Sequence, residues 1–169
     1  MQYYNKIAKT YKELYGDEQL SKYKFVLTKN SIKKKLTGDI LDIGAGDCAF
    51  SRHVKGNYYG VEPAKELIIN SQYKEFFKLK NIQIQDAENM VLDKKFDLIV
   101  SFTAAHHFND PKRVFEQTKR ALKKDGTLVV TLLKKSKSNE LIAKILKSLF
   151  FSVKTLDQGK DTIYICLNS

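Results

Sequence analysis

The hydrophobic pattern changes character once along the 169 residues. Up to residue 38, apolar side chains recur at helical spacing, as Ile7, Tyr11 and Leu14 and then Leu20, Tyr23 and Leu27. This predicts helices over 2–15 and 17–35, parted at Gly16-Asp17. From Asp39 onward, short β-rich runs alternate with helical stretches. Strands are expected at 39–43, 57–61, 82–85, 96–102, 126–133, 150–156 and 161–167. Helices are expected near 47–55, 64–78, 111–124 and 137–149, and Pro63 and Pro111 stand where two of them should begin. Apolar strands alternating with helices imply an α/β fold, a parallel sheet covered on both faces. Only Asp157-Gln158-Gly159-Lys160 separates the last two strands, so they form a hairpin and the final strand should run antiparallel. The chain therefore divides into an N-terminal helical cap, 1–38, and a core, 39–169.

Composition narrows the class. A chain of 169 residues that is 43% hydrophobic can bury roughly 70% of its unfolded surface without staples. Apolar runs such as Thr127–Leu133 are too short to cross a bilayer. Residues 1–15 carry no apolar secretory core. Cys48 and Cys166 are isolated, which fits buried thiols in a reducing compartment, and the cytoplasm is the expected location.

The net charge of +11 is carried by 27 Lys and 3 Arg against 19 acids. It is unevenly spread. Residues 1–38 hold 9 Lys against 3 acids, and 112–154 hold 12 basic groups against 3 acids. Residues 39–111 hold 8 basic groups against 11 acids. Positive charge thus flanks a mildly acidic middle, which points to a polyanionic partner or to a lysine-rich solvated surface.

Candidate chemistry gathers where the first four strands end, the edge at which open α/β sheets bind ligands. Asp42 and the Gly44-Ala45-Gly46 turn close the first, Glu62-Pro63 the second, Asp86-Ala87 the third and Ser101-Phe102 the fourth. A carboxylate after the second strand is placed to accept both hydroxyls of a ribose. Three details argue against a nicotinamide dinucleotide. Ala49 replaces the third glycine of the dinucleotide fingerprint. Asp42, beneath the turn, would oppose a pyrophosphate but suit an ammonium or sulfonium group. Asp86 is positioned to accept from an exocyclic amine such as that of adenine. Ribose, adenine and a cationic amino-acid tail describe S-adenosyl-L-methionine. Taken singly, Asp42 could instead cap the following helix, and Glu62 could be a helix-start charge before Pro63.

In this order and spacing, ILDIGAGD, YYGVEP, QDAENM, FDLIVSFTAAHHF and LKKDGTLVVT resemble the class I S-adenosyl-L-methionine-dependent methyltransferases. The resemblance implies a Rossmann-like, seven-stranded, mostly parallel sheet with an antiparallel last strand, three-layered α/β/α, beneath the helical cap. It implies that Glu62 holds the ribose, Asp86 and Ala87 the adenine, and Asp42, Gly44 and Gly46 the methionine moiety. The opening YYNKIAKTYKELYG resembles the family's cap over the cofactor, with Tyr4 and Tyr11 as candidates. His106 and His107 follow the fourth strand, where the family places the methyl acceptor, and either could deprotonate or orient it. Adjacent histidines point apart in most backbones, so a shared metal is not expected. Ser101-Phe102-Thr103-Ala104 stands where the enzymes that methylate exocyclic or amide nitrogens carry an Asn/Asp-Pro-Pro-aromatic loop.

The HHF loop, short body and tyrosine-rich start are also similar to small archaeal-type methyltransferases. They are similar too to the tRNA wobble-uridine carboxymethyl methyltransferases, which work with a small zinc-ribbon activator protein. The expectation is methyl transfer to a macromolecular acceptor, RNA of the tRNA or rRNA type, with such a partner subunit. The alternatives are a small-molecule methyltransferase of the quinone- or lipid-precursor type and a non-catalytic cofactor-binding subunit.

Overall fold

In the computed structural model, which describes residues 2–7 and 10–168, a helical cap precedes a single sheet. The cap comprises α1 (Gln2–Ile7), α2 (Tyr11–Leu27) and α3 (Asn30–Lys33), with a 3₁₀ turn at Lys34–Thr37. The strands are β1 (Asp39–Ile43), β2 (Asn57–Val61), β3 (Ile82–Gln83), β4 (Phe96–Phe102), β5 (Leu122–Leu133), β6 (Ser152–Gln158) and β7 (Asp161–Leu167). Between them lie α4 (Lys65–Ile69), α5 (Pro111–Ala121) and α6 (Asn139–Leu149). The strand order is β3-β2-β1-β4-β5-β7-β6. β1 to β5 pair in parallel, and β7 runs antiparallel between β5 and β6.

Alternation along the strands supplies both faces of the sheet. Ile40, Leu98, Val100, Val129 and Ile163 face the cap, packing with Tyr23 and Val26 of α2 and with Phe50. Leu41, Ile43, Ile99, Leu128 and Val130 face the other way, onto Val114 and Phe115 of α5 and Ile142 and Leu146 of α6. Helix α5 starts as its sequence requires. Pro111 takes the first turn, and the Asp110 carboxylate accepts from the Arg113 N–H at 3.0 Å. No helix is long and apolar enough to cross a membrane among the described residues.

Five of the expectations differ from the structure. Gly16 lies inside α2, because packing of that helix through Tyr23 and Val26 outweighs the ~1 kcal/mol that one glycine costs. The stretch expected as a helix at 47–55 is a 3₁₀ segment, Ala49–His53, entered through Cys48 at φ 60°. The stretch 64–78 contains only the five-residue α4 and a 3₁₀ turn at Lys74–Phe76. Strand β5 begins at Leu122, directly after α5, and β3 spans two residues. Cys48 and Cys166 are both free and buried.

Candidate active site

The turn after β1 is shaped by backbone geometry that side chains resist. Gly44 and Gly46 have φ of 75° and 57°, left-handed values at which glycine has no steric cost. A Cβ on Gly44 would also lie 2.2 Å from the Ala104 Cβ, so the turn and the loop after β4 approach each other closely. The Gly44 and Ala45 amides donate to the Val61 carbonyl at 2.8 and 3.1 Å, which ties the turn to the end of β2.

Glu62 completes that tie. One carboxylate oxygen accepts from the Gly46 N–H at 2.9 Å and the other from the Ala64 N–H at 2.8 Å. The side chain is 6% exposed. Burial raises its pKa, and the two amide donors oppose that rise. Asp42 lies deeper, 2% exposed, and accepts from the Tyr58 hydroxyl at 2.8 Å through Oδ2. Its Oδ1 is buried with no hydrogen-bond partner among the described residues. Burial pushes Asp42 up to about 7, with the Tyr58 hydrogen bond pulling the other way. Asp86 is half-buried at the end of the β3 segment, followed by buried Ala87 and the 3₁₀ turn Ala87–Asn89. Glu88 Oε1 accepts from the Asn109 and Asp110 amides, which pins the loop before α5 against this turn.

The loop after β4 forms the opposite wall. Thr103 has φ 55°, and a 3₁₀ turn, Ala105–His107, follows it. The His106 and His107 rings lie 3.9 Å apart. His107 Nε2 and the Tyr4 hydroxyl are 3.1 Å apart. Tyr4 also lies close enough to Glu62 for that carboxylate to help raise its pKa, after burial. The α1 tyrosine therefore spans the gap between the ends of β2 and β4. Burial lowers His106 to about 4 and also lowers His107. Both rings are thus neutral near pH 7 and hold protons weakly, which weighs against either as a general base.

The sequence-derived positions separate here. Asp42, the Gly44-Ala45-Gly46 turn, Glu62, Tyr4 and His107 are linked by hydrogen bonds or by charge at the ends of β1, β2 and β4. Pro63 follows directly on Glu62, half-buried. Phe102 turns away into the cap-side core, its ring 4.7 Å from Tyr23 and 5.0 Å from Phe50, so only its backbone borders the site. Ser101 is fully buried, its hydroxyl without a hydrogen-bond partner among the described residues. Tyr11 begins α2, and its side chain lies outside the described residues. Tyr58, Glu88 and Lys22 escaped the sequence reading. Tyr58 alone left a trace, as a buried-strand tyrosine two residues before Gly60.

The sheet order, with β7 reversed, departs from the all-parallel dinucleotide-binding arrangement. It is the arrangement of the class I S-adenosyl-L-methionine-dependent methyltransferases. A family model described as a methyltransferase domain matches residues 41–130, and the chain belongs to that family. The uncharacterized protein MJ1252 of Methanocaldococcus jannaschii is 30% identical over 166 residues, 96% of this chain and 63% of that protein. The chain spans less than two thirds of the length of the curated relatives it matches. A putative S-adenosyl-L-methionine-dependent methyltransferase from Methanococcus maripaludis superposes with a TM-score of 0.78 at 14% identity, covering 98% of this chain and 92% of that one. The DhpI–SAH complex superposes with a TM-score of 0.75 at 15% identity, covering 98% and 93%. Those two structures carry S-adenosyl-L-methionine or SAH in their names, and their likeness to this chain is one of fold. The site fits that cofactor on its own evidence, through the left-handed glycine turn, the buried Glu62 carboxylate and the orphaned Asp42 oxygen.

Proposed function

We propose that this enzyme methylates RNA. The observation that carries the reading is a rim of exposed lysines at the acceptor end of the sheet. Lys134, Lys135 and Lys137 follow β5, and Lys160 sits in the β6–β7 turn beside them, its carbonyl accepting from the Lys134 amide at 2.9 Å. These lysines stand at the same sheet edge as the Thr103–His107 loop, since β5 and β7 pair through Leu133 and Asp161. Lysines in such a rim neutralise phosphates without reading sequence.

When bound, the cofactor supplies an electrophilic methyl group on a positively charged sulfur. The chain's own residues hold and orient it. Glu62 would hold the ribose, Asp86 the adenine and Asp42 the ammonium group, with Gly44 and Gly46 allowing the close approach. Tyr4 reaches from α1 to the loop after β4 through its contact with His107.

Incubating the full chain with labelled S-adenosyl-L-methionine and RNA from cells lacking this protein tests the reading. Label is expected in tRNA or rRNA, with binding that weakens steeply as salt rises. Label confined to small molecules, with RNA affinity independent of salt, would rule RNA out.

A further inference from the structure

Lys22 on α2 is 1% exposed, a burial that lysine rarely reaches unpaired. Its ammonium donates to Glu18 Oε1 at 2.7 Å and Thr103 Oγ1 at 2.6 Å, and lies 3.3 Å from Asp161 Oδ2. Asp161 opens β7 and is 3% exposed. Desolvating such a pair costs as much as the attraction returns, and apolar replacements often fold as well or better. Stability is therefore a weak reason for these charges to be here.

Their position suggests a better one. Thr103 is the left-handed residue that leads from β4 into the histidine loop, and its amide also donates to the Thr131 Oγ1 of β5 at 2.9 Å. His106 lies within reach of the Lys22 charge, which helps lower its proton affinity. The Lys22–Asp161 pair thus sits beyond the end of β4, against the Thr103 turn that leads into the histidine loop. Two buried atoms there have no hydrogen-bond partner among the described residues, Asp161 Oδ1 and His106 Nδ1. Glu18 and Asp161 are set against Lys22, with Lys134 a further positive charge bearing on Asp161.

We infer that Asp161 binds the methyl acceptor, and that the acceptor enters as a hydrogen-bond donor, a ring N–H or a hydroxyl, and not as a carboxylate. The inference rests on the methyltransferase reading of this cleft and narrows its acceptor. Lys22 is then a positioning residue that fixes Asp161 and the Thr103 turn together. In the transfer, the acceptor's lone pair forms the bond to the methyl carbon and the carbon–sulfur bond breaks with its pair passing to sulfur. The acceptor's proton passes to Asp161 Oδ1. Burial raises the pKa of Asp161 while Lys22 lowers it, so the carboxylate takes a proton more readily than an exposed one. Glu18 on α2 and Lys134 after β5 are the other charges that bear on it. A carboxylate acceptor would meet like charge instead, which sets this site apart from the carboxymethyl-uridine enzymes.

The test uses the full chain, cofactor labelled in the methyl group, and the RNA and small-molecule pools of cells lacking this protein. Product label that survives mild alkali is expected. Label released as methanol marks a methyl ester and overturns the inference, and this readout needs no variant. Asp161→Asn should bind S-adenosylhomocysteine within about twofold of wild type by calorimetry yet transfer methyl ~100-fold more slowly. The rise of wild-type rate with pH as Asp161 ionises should be absent from the variant. Asp161→Asn working at the wild-type rate overturns the inference, as does loss of its cofactor affinity in parallel with its rate. Alkali-stable label found only in small molecules sinks the RNA reading but supports this one. Wild type that labels neither pool while binding the cofactor counts against an acceptor site here.

Discussion

Glu62 and Asp161 are both buried carboxylates at strand ends, and they are held in different ways. Glu62 is gripped by backbone amides of Gly46 and Ala64. Asp161 is held by a side chain, the Lys22 ammonium at the far end of the sequence. Around Glu62 the chain follows motifs shared by a large family, and the partners are close in sequence. Around Asp161 they come from the cap, β4 and the terminal hairpin at once. A backbone-built cofactor end can serve many enzymes unchanged, while an acceptor end built from side chains can diverge.

Substitutions should separate the two ends. The largest effect is expected from Gly44→Arg. Left-handed strain alone costs ~1–3 kcal/mol, and the Cβ collides with Ala104. Calorimetry should detect no S-adenosylhomocysteine binding, and retained affinity would show that the turn does not border the cofactor. Glu62→Gln comes next. It keeps the shape but removes the charge and one of the two amide contacts, so affinity should fall ~10- to 100-fold, corresponding to a charged hydrogen bond of ~1.5–3 kcal/mol. An unchanged affinity would detach Glu62 from the cofactor.

A smaller effect concerns stability. The pKa of Asp42 is raised to about 7 by burial, against ~3.9 in an unfolded chain. The native state therefore binds more protons than the unfolded state between these values, and stability falls as pH rises from ~4 to ~7. Asp42→Asn should flatten that part of the ligand-free melting profile and raise the melting temperature near pH 7. An Asp42→Asn profile parallel to wild type would contradict the assignment. Milder still, Lys134→Gln with Lys137→Gln should reduce the salt slope of RNA binding by ~1–2 units without altering cofactor affinity. Tyr4→Phe should be the smallest. Its contact with His107 is exposed, so S-adenosylhomocysteine should bind only ~2- to 10-fold more weakly. No change would remove α1 from the closed site.

What the sequence could reveal follows from the same contrast. β1, β2, β4 and β7 lie at the expected residues because each is a short, β-rich and mostly apolar run with a sharp end. The reversed last strand was legible because the turn between 157 and 160 is too short for a crossover. Segments without a strong local code were not. Residues 47–55 have helical composition, but the turn geometry spends Cys48 in a left-handed conformation and leaves room for 3₁₀ structure alone. Gly16 reads as a break until the packing of α2 on the sheet is known. Among the candidate site residues, Asp42, Gly44 and Gly46 stand in ILDIGAGD and Glu62 in YYGVEP, so each could be named from its motif. Phe102 was misjudged because strand alternation and the aromatic cluster with Tyr23 and Phe50 set its direction. Lys22 looks like any amphipathic-helix lysine, and only the fold brings Asp161 to it.

The central claim is that this cofactor site serves an RNA acceptor. Mass spectrometry of tRNA and rRNA nucleosides from cells lacking the protein tests it most directly. The account predicts that one methylated nucleoside disappears and returns with wild type but not with Gly44→Arg. An unchanged nucleoside profile would contradict it.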